Sequence, residues 1–175
     1  MDYYLIKPDN EINSPLNLND YFNQFDTTAN INTDTVIKSD VTEATKLIDY
    51  ARLINRHISY HMFSDKIKSV INGYKESIDF YGVFVTSLDM EQQYAYWRMD
   101  TLKLKRIIIE DTDDVLVDDI RDINKIELNH SEIGSSLIFC IVKSRHDYIV
   151  VREDLAEGIL RRCPIGIKFV KLTVR

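Results

Sequence analysis

Apolar positions along this chain recur mostly at the two-residue period of strands, and in only a few windows at the period of a helix. "YYLIK" (Tyr3–Lys7) opens as a strand of aromatic and β-branched residues closed by Pro8 and Asp9. From Asn10 to Asn32 seven asparagines alternate with isolated apolar residues, a turn-rich pattern with neither period. Its hydrophobes Leu16, Leu18, Tyr21 and Phe22 predict a loop laid against the domain. From Val41 the spacing turns helical. Asp40 and Glu43 form a capping box, and Val41, Ala44, Leu47, Ile48, Ala51 and Ile54 share one face, which predicts a helix to about Asn55. "ISYHMF" then reads as extended, and Ser64 or Asp65 caps a short helix, "DKIKSVING", with Gly73 as its stop. "IDFYGVFV", kinked at Gly82, and "QQYAYWRM" are strands, followed by "RIII", by "LVDDI" or "IELN", and by "LIFCIVK".

The closing stretch, "YIVVREDLAEGILRRCPIGIKFVKL", passes from strand to helix to strand. Leu155, Ala156, Ile159 and Leu160 form the buried stripe of its helix. Glu153 and Asp154 complement the positive helix start, and Arg161 and Arg162 the negative end, before Pro164 stops it. "SDKIKSVINGYKESIDF" echoes "REDLAEGILRRCPIGIKF" with one inserted residue: Ile67 matches Leu155, Ile71 matches Ile159, and "IDF" matches "IKF". Either a weak internal repeat or the general form of any cap, helix and strand in succession produces this echo, and both predict the same local unit twice. Strand signal outweighs helix signal, and the strands do not alternate regularly with helices. The expected class is α+β, a mostly antiparallel or mixed sheet with a few short helices packed on it.

A length of 175 residues fits a single domain, 1–175, with residues 1–38 as N-terminal strand and Asn-rich loop and 39–175 as the core. Apolar residues at 45% and charged residues at 29% are ordinary globular values and exclude wholesale disorder. The absence of a long apolar run or a basic N-terminal leader predicts a cytoplasmic chain without membrane association. Net charge is −6, and "EDTDDVLVDDIRD" (Glu110–Asp122) accounts for all of it with seven acids and one arginine. The only short basic cluster, "KLKR", runs straight into those acids, so nucleic-acid binding is not expected.

Each constellation that could carry chemistry has a plainer account. His57 and His61 stand four apart but have no third ligand close in sequence and no intervening glutamate, so they read as structural or surface histidines. The acidic segment departs from the calcium-loop template at Leu116. Asp113, Asp114, Asp118 and Asp119 could instead hold magnesium in a metal-dependent enzyme, the alternative to a binding protein, although no basic groove accompanies them. Cys140 and Cys163 suit neither zinc nor a redox pair, and Ser135 and Ser136 after Gly134 read as a turn. No cofactor, metal or catalytic set is expected. Trp97, with Tyr94 and Tyr96, puts aromatics on both faces of one strand, as double-sided burial or a face turned to a partner requires.

The order of units resembles a family of bacterial immunity proteins from polymorphic and contact-dependent toxin systems, the myxobacterial-type immunity domain first catalogued as a domain of unknown function. "YYLIKPD", "FSDKIKSVI", "IDFYGVFV", "QYAYWRMDTLKLKRIII" and "LIFCIVKSRHDYIVVREDLAEGILRRCPIGIKFVKL" carry the likeness, which spans roughly residues 59–172 with a weak extension to the N-terminus. Arg152 stands where the family usually has serine, and Gly82 where it often has proline. The resemblance implies a non-enzymatic cytoplasmic protein that binds and neutralises a cognate toxin domain, with homo-oligomerisation not indicated. A structural module of a secretion-associated assembly is the other non-enzymatic reading. Asp111, Asp113, Asp114, Asp118 and Asp119 are the expected toxin-facing residues, since an acidic surface steers association with a basic cleft. Trp97 is the expected aromatic contact.

Overall fold

The computed structural model describes residues 1–24, 33–54, 58–74, 77–109, 126–143 and 146–175. Eleven strands are seen among them: β1 (Tyr3–Pro8), β2 (Thr35–Ser39), β3 (Tyr50–Ile54), β4 (Ser59–Ser64), β5 (Phe80–Ser87), β6 (Gln93–Met99), β7 (Arg106–Ile108), β8 (Glu127–Leu128), β9 (Ile138–Lys143), β10 (His146–Arg152) and β11 (Ile167–Val174). The helices are α1 (Asp65–Gly73), α2 (His130–Ile133) and α3 (Glu153–Leu160). The α+β expectation holds. Sheet 1 has the order β7-β9-β10-β1-β11-β8 and sheet 2 the order β2-β5-β6-β4-β3.

Alternation along the strands builds the core. Tyr50, Phe63 and Met99 of sheet 2 meet Ile6, Ile149 and Val151 of sheet 1, and Ile67 and Ile71 of α1 and Leu155 and Ile159 of α3 pack into the same cluster. The opposite face of sheet 2 is closed by Leu16, Leu18 and Tyr21, so the described part of the Asn-rich loop does lie against the domain.

Five strands of sheet 1 copy the topology of sheet 2, and β7 is added beside β9. In sheet 2 the β3–β4 hairpin leads through α1 to β5, β6 runs antiparallel between β4 and β5, and β2 adds parallel to β5. In sheet 1 the β9–β10 hairpin leads through α3 to β11, β1 runs antiparallel between β10 and β11, and β8 adds parallel to β11. The register makes Tyr96 equivalent to Tyr3, Ser64 to Arg152 and Val83 to Leu172. Equivalent hydrogen bonds follow. The Tyr96 hydroxyl donates to Ile48 O at 2.8 Å and the Tyr3 hydroxyl to Ser136 O at 3.5 Å. Ser64 N donates to Asp49 O at 3.0 Å, and Arg152 N to Leu137 O at 2.9 Å. The weak echo between residues 64–80 and 152–169 is therefore part of a larger correspondence.

Three local expectations are corrected. The helix expected from Val41 to about Asn55 is not formed over the described residues 41–54: a turn closes through Thr45 N to Thr42 O at 3.0 Å, Lys46 bridges to the segment at Pro15, and β3 begins at Tyr50. Its β-branched residues and Tyr50 are weak helix formers, and their burial as a strand beside β4 outweighs the helical spacing. Ser64 holds the N-cap position of α1 without capping it, because its hydroxyl donates to Asp49 Oδ1 at 2.6 Å. Leu160 is 51% exposed and lies outside the buried stripe of α3. His57, "LVDDI" and Asp111, Asp113, Asp114, Asp118 and Asp119 lie outside the described residues.

Candidate functional site

Trp97 sits on β6 between Gly82 of β5 and Phe63 of β4. Along that face of sheet 2 the β3–β4 end is buried in the core, whereas the β2–β5–β6 end is open. The open end carries Val36, 56% exposed, with Phe84 and Ala95 in register beside it and Trp97 one row on. Short elements fix the indole. Nε1 donates to Asp65 Oδ1 at 3.1 Å at the start of α1, Lys68 Nζ lies 3.0 Å from the ring centroid, and the Phe84 ring meets it edge-on at 6.5 Å. Gly82 N donates to Asp34 Oδ1 at 2.6 Å, and a Cβ at Gly82 would approach the Phe84 ring to 3.0 Å, so glycine is what lets that ring lie down here.

The other half of the molecule shows that this apolarity is not demanded by the fold. The register places Tyr4 where Trp97 stands, Lys171 for Gly82, Thr173 for Phe84 and Glu127 for Val36. That surface is solvated and ion-paired, Lys171 with Asp2 and Arg175 with Glu127 at 2.7 Å. One framework thus presents a polar face on one copy and an aromatic face on the other.

A second cluster of chemistry-bearing groups lies at the seam of the two sheets. Asp147 on β10 accepts from Arg106 at 2.8 and 3.1 Å and from Thr101 Oγ1 at 2.5 Å. Its backbone receives the Arg52 Nε bond at 3.1 Å, and its N–H donates to Ser59 Oγ at 2.8 Å. His61 is 0% exposed; Nε2 faces Asp147 O at 3.1 Å and therefore carries the proton, while Nδ1 accepts from the Tyr50 hydroxyl at 2.8 Å. Burial pushes the His61 pKa down to about 3, with the Arg52 charge adding to the effect. Burial also raises the Tyr50 phenol and the Cys140 thiol. Tyr50, Ser59, His61, Thr101, Arg106 and Asp147 spend their hydrogen bonds on one another, which makes the cluster a bolt between sheets. Sequence reading missed it because its members are scattered from Arg52 to Asp147 and none forms a spaced motif.

Of the residues expected to face a toxin, Trp97 is the one whose position is described. The described flanks of the acidic segment, Ile108 on β7 and Glu127 on β8, lie at opposite edges of sheet 1, whereas Trp97 belongs to sheet 2. Among the described residues no group of three His, Cys, Asp or Glu side chains is arranged to hold a metal ion, and no helix is long and apolar enough to cross a membrane. No protein-family model matches the chain, and no curated protein matches it.

Proposed function

We infer that this protein binds and neutralises a cognate bacterial toxin domain in the cytoplasm of the cell that makes both, without itself catalysing a reaction. The observation that carries the reading is the open Trp97–Phe84–Val36 face, apolar where the equivalent face of the other half is solvated. Contiguous exposed apolar surface marks interaction sites, and a tryptophan with an ordered rim of polar neighbours has the form of an interface hot spot. The order of sequence units supplies the toxin as partner by resemblance. The acids at Asp111, Asp113, Asp114, Asp118 and Asp119 remain proposed as steering groups for the same encounter.

Co-expression with the toxin encoded beside this chain tests the reading. Cells should survive with the wild type; death despite soluble expression, or the lack of any neighbouring toxin, removes the proposal. Trp97→Ala should weaken toxin binding by about 2 kcal/mol or more. Tyr4→Ala, which truncates the equivalent position in the solvated half, is the control and should leave affinity unchanged. Calorimetric titration of both variants against the toxin domain reads the difference.

A further inference from the structure

The β5–β6 hairpin is held shut more firmly than a connection needs. Ser87 N donates to Gln92 O and Met90 N to Ser87 O, each at 2.9 Å. Gln92 N donates to Ser87 Oγ at 3.0 Å and Glu91 N to Asp89 Oδ1 at 3.1 Å. The Ser87 hydroxyl also donates to the Asp89 carboxylate, and the Tyr94 hydroxyl to Gln92 Oε1. At the tip of this clamp the side-chain choices run against the turn. Met90 has φ 61°, the left-handed region where glycine or asparagine is at ease. Met90 is nevertheless 66% exposed and Leu88 63% exposed, so burial within the chain does not repay either side chain. Local choices that violate both backbone preference and solvation concentrate at functional positions.

We propose that residues 88–91 are a preorganised plug, with Leu88 and Met90 entering an apolar pocket of a protein partner whose rim is cationic and pairs with Asp89 and Glu91. Charge complementarity sets the partner's chemistry: the apolar pair alternates with two exposed acids, so a pocket lined by acids would be repelled and a wholly apolar one would strip water from both carboxylates with no cation in return. Closure by six hydrogen bonds means that little loop entropy is lost on docking. The proposal rests on the toxin-binding reading and names the element that enters the toxin.

The test titrates the full chain against the catalytically inactivated toxin domain encoded beside its gene. Leu88→Ser with Met90→Gly removes both apolar side chains and relieves the left-handed backbone, so the melting temperature should hold or rise while affinity falls roughly 30-fold. Glu91→Lys, at a side chain outside the clamp, should slow association about three- to ten-fold at low salt and much less at high salt. Wild-type affinity in the double variant, alongside a weakened Trp97→Ala, overturns the plug and leaves the toxin-binding reading standing. Failure of the wild-type chain to bind overturns both.

Discussion

His61 shows how a single residue ties sequence to packing and to pH. Its ring is fully buried on β4, stacked on Tyr50 with centroids 6.0 Å apart, and its nitrogens are both used, Nδ1 by Tyr50 within sheet 2 and Nε2 by Asp147 across the sheet seam. Burial favours the neutral ring, so the folded pKa of about 3 lies below the value of roughly 6.5 in an unfolded chain. Between those two values the unfolded chain binds a proton that the folded one refuses. The contribution is therefore fully present above about pH 6.5 and is lost as the pH falls toward 3. His61→Phe should flatten the wild-type loss of stability between about pH 6 and 4 by up to ~1.4 kcal/mol per unit. At neutral pH the same change should cost about 1–3 kcal/mol, because the Tyr50 hydroxyl loses its acceptor and the Asp147 carbonyl loses one of its donors. Denaturant titrations of the two proteins at several pH values measure both effects; parallel pH profiles would contradict the account.

At the scale of elements, α1 and α3 are equivalent helices that touch each other. The Tyr74 hydroxyl, just beyond α1, donates to Asp154 O at 2.6 Å over Gly158 in α3. A Cβ on Gly158 would come within 2.7 Å of that hydroxyl, so the glycine is kept for the close approach. Mid-helix glycine is less favourable than alanine by about 1 kcal/mol. Gly158→Ala should therefore bring no net stabilisation in the wild type, where it displaces Tyr74, and about 1 kcal/mol in a Tyr74→Ala background. Thermal unfolding of the four proteins of this cycle gives the coupling, and equal effects in both backgrounds would rule out the contact. Both helices were legible from apolar spacing, and β4, β5, β6 and β9 from their apolar runs. The helical spacing of Val41, Ala44, Leu47, Ile48, Ala51 and Ile54 misleads because Ala51 and Leu53 share one face of a strand, and the choice is made by pairing with β4, a non-local demand that spacing does not encode. Trp97 was legible as an aromatic of a two-faced strand, but the openness of its face depends on β2, β5 and α1 together.

For the whole molecule, the internal correspondence runs across the chain ends. β6 follows β5 directly in one half, whereas in the other its equivalent is the first strand, β1, taken from the N-terminal end of the chain. The sequence echo covers only the helix and the strand after it, since β1 is displaced in order and β8 is too short to align. The register sets Thr86 equivalent to Arg175 and Tyr94 to Met1. The Lys171–Asp2 ion pair holds the two ends on one surface. A bridge as long as residues 87–93 should therefore join Arg175 to Met1 without disturbing either sheet, since loops of this length close at little entropic cost. New ends opened at Met90 complete a circular permutant in which β1 follows β11 as β6 follows β5 in the present chain. This permutant should keep the far-ultraviolet circular dichroism of the parent and lie within about 2 kcal/mol of its stability, because cutting an exposed loop tip breaks few buried interactions. It should also lose toxin binding through the severed plug, while a permutant opened elsewhere in an exposed loop, with the same Arg175–Met1 bridge, should retain it. If both permutants fail to fold, the equivalence of the β5–β6 turn and the paired ends is wrong; if both fold and both bind, the hairpin tip is only a connection.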